Sequence, residues 1–220
     1  FVVKFNIADL FESLTDAIGA HDALVCGDHR STFRQLDERA SRLAHYLADR
    51  GVRAGDHVGL YLFNCAEFIE AMLAAFKIRA VPVNINYRYV ADELRYMLEN
   101  ADLVALVHHR EFAPVISDVV AGFPAARNLI YVDDGSGADV GAIGSIDFEK
   151  AVAAGRPGRG FAERSEDDLY IIYTGGTTGM PKGVMWRHED VFFAGLQGGN
   201  PGGAPISRPE ELAELARAKN

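Results

Sequence analysis

Apolar residues recur at helical spacing near the start of the chain. Ile7, Leu10, Phe11, Leu14 and Ile18 share one face, with Asn6 placed to cap the segment and Gly19 to close it. Ala23 to Cys26 reads as a strand that Gly27-Asp28 turns back towards Thr32-Phe33. Thr32 and Gln35 have the spacing of a capping box. Phe33, Leu36, Ala40, Leu43, Ala44 and Leu47 then form one face of a helix ending at Gly51. From residue 57 two patterns alternate. Val58 to Phe63, Val81 to Ile85, Leu103 to Val107 and Leu129 to Val132 are short, near-continuous apolar runs. Ala66 to Lys77, Asp92 to Leu98 and Glu111 to Ala121, lying between them, are helical. Strands apolar on both faces and separated by helices predict an α/β fold. Its sheet is mostly parallel, covered by helices on both faces and joined by right-handed crossovers.

Loops punctuate the second half. Residues 134 to 145 and 155 to 165, rich in Gly, Ser, Asp and Arg, read as surface loops around a short helix, Asp147 to Ala154. Leu169 to Tyr173 and Val184 to Trp186 are strands. Arg187-His188-Glu189-Asp190 opens a helix running to about Leu196, Gln197 to Arg208 is rich in Gly and Pro, and Pro209 to Lys219 is a polar amphipathic helix. No internal repeat and no heptad pattern is present. His108-His109-Arg110 falls at the carboxyl end of a strand, and with no acid partner placed by spacing it reads as capping and solvation. Asp167-Asp168 reads as a solvated approach to a strand, and Trp186 and Phe192-Phe193 as core. Tyr87-Arg88-Tyr89 carries no assignment.

Composition narrows the classes. The 220 residues suffice for one large domain or two small ones with a substantial core. A hydrophobic fraction of 49% and a charged fraction of 24% are those of an ordinary globular protein. A net charge of −9 argues against a non-specific nucleic-acid surface and against attraction to anionic membranes. Cys26 and Cys65 provide neither a disulfide framework nor metal-ligand spacing and read as reduced, buried thiols. No apolar run reaches transmembrane length, and no basic-then-apolar signal peptide opens the chain, which starts at Phe1.

The chemistry concentrates in Tyr173-Thr174-Gly175-Gly176-Thr177-Thr178-Gly179-Met180-Pro181-Lys182-Gly183-Val184. Three glycines and three threonines over residues 174 to 179 disfavour both helix and strand. They suit a tight loop whose backbone N–H groups and short hydroxyls can converge on an anion. Lys182 adds a compact positive charge at the end of that loop. The spacing is not that of a Walker P-loop: Met180 and Pro181 separate Gly179 from Lys182, and Lys182 is followed by glycine rather than Ser or Thr. The apolar residues that follow also read as strand, so no helix N-terminus is called for beneath the phosphates.

The string resembles the phosphate-binding signature T-[SG]-G-[ST]-T-G-x-P-K-G of the adenylate-forming superfamily, which comprises acyl-CoA synthetases, non-ribosomal adenylation domains and luciferases. Thr174 to Gly183 fill every fixed position; Gly175 stands where many members carry serine, so one hydroxyl ligand is missing. Thr32-Phe33-Arg34-Gln35-Leu36 is similar to the family's [LT]-[TS]-[YF]-x-x-L segment. Phe76-Lys77-Ile78-Arg79-Ala80-Val81-Pro82-Val83-Asn84 resembles a second signature and departs from it at Ile78-Arg79, where the family more often has Ala-Gly. The residues flanking the loop, Arg164 to Asp168 and Trp186 to Asp190, look most like actinobacterial acyl-CoA synthetases acting on fatty acids or steroid side-chain acids.

The resemblance implies that residues 1–220 are the first portion of the large N-terminal domain of an adenylate-forming enzyme, with the phosphate loop at 173–184. The rest of that domain and a mobile C-terminal domain carrying the catalytic lysine would lie downstream, leaving no catalytic residue here and this segment inactive alone. It further implies ATP and Mg²⁺, a fatty or steroid carboxylic acid converted to acyl-AMP with release of pyrophosphate, and coenzyme A as the thiol that accepts the acyl group. Thr174, Thr177 and Thr178 are then hydroxyl donors to phosphate, Gly175, Gly176 and Gly179 backbone donors or hinges, and Lys182 the charge at the pyrophosphate end. His188 is expected to buttress the loop or line the cleft. The expected location is cytoplasmic, with loose membrane association and a homo-oligomer left open. An acyl-AMP ligase, a non-ribosomal adenylation domain and a non-catalytic nucleotide-binding relative stay open as alternatives.

Overall fold

The computed structural model describes residues 3–124, 128–174 and 180–219. Its first helix, α1 (Ile7–Ile18), starts where the sequence places a cap: the Asn6 side chain accepts a hydrogen bond from the Ala8 N–H at 3.0 Å. Strands β1 (Asp22–Cys26) and β2 (His29–Thr32) form a small antiparallel hairpin apart from the main sheet. The capping box of α2 (Phe33–Asp49) is complete. The Gln35 N–H donates to Thr32 Oγ1 at 3.2 Å and the Thr32 N–H donates to Gln35 Oε1 at 2.9 Å.

The alternating half builds the main sheet: β3 (His57–Tyr61), α3 (Ala66–Lys77), β4 (Val81–Asn84), α4 (Ala91–Asn100), β5 (Leu103–His109), α5 (Ala113–Val120) and β6 (Asn128–Val132). Next come the two-residue strand β7 (Ile146–Asp147), α6 (Phe148–Ala154), β8 (Leu169–Thr174) and β9 (Lys182–Arg187). In space the strands run β7-β6-β5-β3-β4-β8-β9. Every neighbouring pair is parallel except β8 and β9, which form an antiparallel hairpin at one edge.

The period of two along each strand splits the core. Val58, Leu60, Ala105, Val107, Ile130 and Val132 face α2, α3 and α6. Tyr61, Val83, Leu103, Leu106, Leu129 and Ile171 face α4 and α5. These are the two covered faces that the apolar strands predicted.

Several expectations give way. The helix expected from Glu111 is a 3₁₀ turn, Arg110–Phe112, followed by α5, because Pro114 has no N–H to donate and is tolerated only in a first helical turn. After β9, one turn of helix, α7 (His188–Asp190), widens into a π-turn, Val191–Gly195. Phe192 is core, whereas Phe193 and Trp186 are each 37% exposed, Trp186 lying on the edge strand. Both cysteines are half-buried rather than buried. The polar C-terminal helix, α8 (Glu210–Lys219), lies against α1.

Residues 155 to 165 are not a plain surface loop. Arg164 is buried and pairs with Asp9 and Glu12 of α1, while Lys77 pairs with Glu12 and with Asp37 of α2. Arg159 reaches Asp16 and Asp37 at 2.9 Å each. Each buried charge thus faces an opposite one, the condition for ionic groups to sit in a core. The cluster ties the segment leading into β8 onto α1, α2 and α3. Among the described residues no helix is long and apolar enough to cross a membrane.

Candidate nucleotide-phosphate site

The parallel strands all end at one edge of the sheet, the edge where open α/β sheets bind ligands. β8 ends there too. It pairs with β4 through Val83 opposite Ile171 and Asn84 opposite Ile172, and continues two residues further to Thr174. The chain returns along β9, with Lys182 opposite Thr174 and Gly183 opposite Tyr173. Thr174 and Lys182 therefore face each other across the hairpin mouth at the carboxyl edge, and both are exposed. Lys182 makes no ion pair among the described residues. Gly175, Gly176, Thr177, Thr178 and Gly179, the other expected phosphate ligands, lie outside the described residues.

The stem of the hairpin follows from its side chains. Ile171 points into the α4/α5 core, and Tyr170, on the opposite face, packs edge-on against Phe76 of α3 with ring centroids 5.8 Å apart. Gly183 is glycine for a local reason: a Cβ there would fall 3.0 Å from the Tyr173 ring, which lies across its pair partner. The Tyr173 hydroxyl donates to Asn100 Oδ1 at 2.7 Å, and the Tyr96 hydroxyl donates to the Pro181 carbonyl at 2.9 Å. Sequence reading missed Tyr96 and Asn100, because nothing in their spacing names partners some eighty residues away.

The base of the hairpin lies at the other end. Arg187 of β9 pairs with Asp167 at 2.7 Å and Asp190 at 2.9 Å, and the His188 N–H donates to the Asp168 carbonyl at 2.9 Å. Asp168 is not a solvated approach to the strand: its carboxylate accepts from Asn6 Nδ2 at 3.1 Å and from both Nε and Nη2 of Arg79. His188 is only 1% exposed. Its Nδ1 accepts from the Ile7 N–H at 3.2 Å and its ring packs edge-on against Phe76, with centroids 4.4 Å apart. Burial pushes its pKa down to about 4, against the pull of Asp168. The residue pairs at the two ends of the hairpin, Leu169–Arg187 and Thr174–Lys182, are five strand positions apart, about 17 Å. His188 thus buttresses the base of the hairpin from the core and does not line a cleft at its mouth.

His108 and His109 also depart from expectation, since both are buried. The His108 Nδ1–H donates to the His109 carbonyl at 2.8 Å, and its Nε2 lies 2.9 Å from the Ser145 hydroxyl, which can donate to it in the neutral ring. Burial pushes its pKa down to about 4. His109 Nδ1 accepts from the Phe63 N–H at 3.1 Å, and burial lowers its pKa too. Both rings satisfy structural partners at the ends of the central strands.

A cavity of about 500 Å³ opens between α1 and α8, lined by Asp9, Glu12, Arg159 and Arg164 among others, but it contains no hairpin residue, and those four charges pair within the ionic cluster described above. Among the described residues no group of three or more His, Cys, Asp or Glu could hold a metal ion.

Comparison with known proteins places this geometry. The AMP-binding enzyme family matches residues 14–203, and the chain belongs to that family. It is 50% identical over 190 residues to a 3-oxocholest-4-en-26-oate–CoA ligase of Rhodococcus rhodochrous, covering 86% of this chain and 34% of that protein. It is 46% identical over 218 residues to a medium/long-chain-fatty-acid–CoA/3-oxocholest-4-en-26-oate–CoA ligase of Mycolicibacterium smegmatis, covering 98% of this chain and 39% of that protein. The chain thus spans a little over a third of the length of these curated relatives. Among solved structures, the anthranilate CoA ligase AuaEII in complex with anthranoyl-AMP superposes with a TM-score of 0.81 at 28% identity, over 91% of this chain and 38% of that one.

Proposed function

We propose that this chain forms the phosphate-binding part of an ATP-dependent acid–thiol ligase. The observation that carries the reading is the register of the hairpin: Thr174 opposite Lys182 at the carboxyl edge, at the two ends of a Gly/Thr-rich sequence. Attack of a carboxylate on the α-phosphate of ATP brings two anions together while negative charge grows on the departing pyrophosphate. Hydroxyl and amide donors and a fixed ammonium aimed at the β- and γ-phosphates stabilise that charge where it develops. Thr174, Thr177 and Thr178 supply hydroxyls, Gly175, Gly176 and Gly179 supply amides, and Lys182 supplies the cation. Mg²⁺ bound with ATP would add charge neutralisation at the same phosphates.

The product of the first step is an acyl-adenylate, with pyrophosphate released. Attack of the coenzyme A thiol on its carbonyl then forms the thioester and expels AMP. The substrate class proposed is a fatty acid or a steroid side-chain carboxylic acid, as the names of the relatives at 46–50% identity suggest. In this reading residues 1–220 supply the first part of the adenylating domain.

The test is acid-dependent ATP–pyrophosphate exchange on the protein at its full native length, with medium-chain, long-chain and steroid carboxylic acids, followed by addition of coenzyme A. Exchange with one acid class, and thioester formation once coenzyme A is present, is the expected result. Lys182→Ala should lower exchange by roughly 100-fold or more, the scale of removing one preorganised charge-stabilising donor, without changing the melting transition. Wild-type exchange rates in the Lys182 variant would remove the loop from the reaction. Exchange without a coenzyme A product would move the acceptor to another thiol.

A further inference from the structure

We propose that Tyr96 and Asn100 of α4 are positioning residues for the mouth of the β8–β9 hairpin. They hold the two arms of the β8–β9 hairpin at its mouth and so set where Lys182 stands relative to Thr174. The proposal rests on reading this hairpin as the ATP phosphate site.

β9 is an edge strand, paired among the described residues with β8 alone, and Lys182 through Trp186 are exposed along it. A two-stranded antiparallel ribbon is marginal without further support, so the mouth of this hairpin depends on what else grips it. α4 provides that grip on both arms. Residues 96 and 100 are one helical turn apart and share a face. Asn100 accepts from the Tyr173 hydroxyl at 2.7 Å, on the arm leading into the loop. The Tyr96 hydroxyl donates to the Pro181 carbonyl at 2.9 Å, on the returning arm, one residue before Lys182. The helix is itself anchored, because Leu94, Met97 and Leu98 are buried in the core between α4, α5 and the sheet. The Tyr173 phenol, raised in pKa chiefly by burial, is a neutral donor. Gly183 lets the Tyr173 ring lie close across the hairpin on its way to Asn100. One helix face thus clamps both arms of the hairpin, at Tyr173 and at Pro181.

Two variants test the clamp, Tyr96→Phe and Asn100→Ala, with two readouts. The first is amide hydrogen exchange over residues 180–184 of this chain, which needs no nucleotide. The second is the KM for ATP against the KM for the acid in ATP–pyrophosphate exchange by the protein at its full native length. Each variant should speed amide exchange at 180–184 and raise KM for ATP about 2- to 10-fold, the range a single neutral hydrogen bond supports. KM for the acid should be unchanged. A double-mutant cycle of Asn100→Ala with Tyr173→Phe should be strongly non-additive in KM for ATP, since both remove the same bond. Unchanged amide exchange in both single variants overturns the clamp. So does a uniform fall in kcat that follows the melting temperature while the two KM values stay fixed, for that is the mark of simple destabilisation. If the wild-type protein shows no ATP–pyrophosphate exchange at all, the ligase reading falls, and amide exchange alone still decides whether α4 holds the hairpin.

Discussion

Gly183 and Lys182 are neighbours in the same signature and are held in place by different physics. Lys182 is exposed and in the proposed reading would act through its charge, whereas Gly183 acts through the side chain it lacks. A methyl group at 183 would meet the Tyr173 ring at 3.0 Å and Ile171 Cγ2 at 3.1 Å. Gly183→Ala must therefore push Tyr173 away from Asn100. We expect a loss of about 1 to 3 kcal/mol, the usual cost of overpacking a fitted contact, measured as a shift in urea midpoint at constant m-value. Pairing the change with Tyr173→Ala should restore part of that loss by clearing the space. If Gly183→Ala matches wild type in urea, the glycine is there for the ligand rather than for the fold. The Gly/Thr composition of residues 174 to 179 reads in the sequence as suited to an anion, the reading proposed above. The reason for Gly183 was not legible, because Tyr173 becomes its neighbour only once the strands pair.

At the scale of elements, the end of α3 shows where sequence and structure part. The helix itself was legible: Ala66 to Lys77 has the bounds its periodicity predicts. Its C-terminus forms a 6→1 and 5→2 pair of hydrogen bonds, Ala80 N–H to the Ala75 carbonyl at 2.9 Å and Arg79 N–H to the Phe76 carbonyl at 3.1 Å. That geometry puts residue 79 at φ +61, the left-handed region, which suits the glycine of the signature this segment resembles. This chain has Arg79 instead, and the guanidinium bridges to Asp168 at 2.8 Å, joining the end of α3 to the start of β8. Two effects oppose each other: a strained backbone costing about 1 kcal/mol and a partly buried, bidentate ion pair. Arg79→Ala keeps the strain and loses the pair; Arg79→Gly loses both. Arg79→Ala should thus be the less stable of the two by about 1 kcal/mol, read from thermal or urea unfolding. Equal stabilities would show that residue 79 carries no strain. The ion pair was invisible in the sequence because its partners are 89 positions apart, and the same holds for Arg164, read as loop and found buried against Asp9 and Glu12. Periodicity reports which face of an element is buried, and it is silent on which charge will be waiting there.

For the molecule as a whole, the two histidines pushed down to about 4 make stability depend on pH. His108 lies at the end of a central strand and His188 at the base of the hairpin, and burial depresses both from an ordinary value of 6.5. The charged groups around them are few: His109 and Asp134 near the first, Asp168 and Arg164 near the second. A base whose pKa is lower folded than unfolded takes up its proton first in the unfolded chain. Its contribution is therefore complete above pH 6.5 and is lost as pH falls towards 4. The carboxylates held low by their partners, Asp134, Glu149 and Asp190, act in a separate window, since their contribution is lost only below about pH 4.5, where carboxylates protonate. Between pH 6.5 and 5 the histidines, His109 among them, should outweigh Glu70, whose pKa burial raises and which therefore works in the opposite direction. At 1.36 kcal/mol per unit, each would remove up to about 2 kcal/mol by pH 5, a large share of the stability of a domain this size. The measurement is the urea midpoint at pH 7, 6 and 5 for the wild type, His108→Gln and His188→Asn. The asparagine leaves an acceptor near the Nδ1 position that receives the Ile7 N–H. Each variant should be less stable than wild type at pH 7 and show a shallower decline towards pH 5, so that the curves converge. A flat wild-type profile from pH 7 to 5 would mean that neither ring is held neutral by the fold, and the paired contacts at Ser145 and Ile7 would then have to tolerate a charged imidazole.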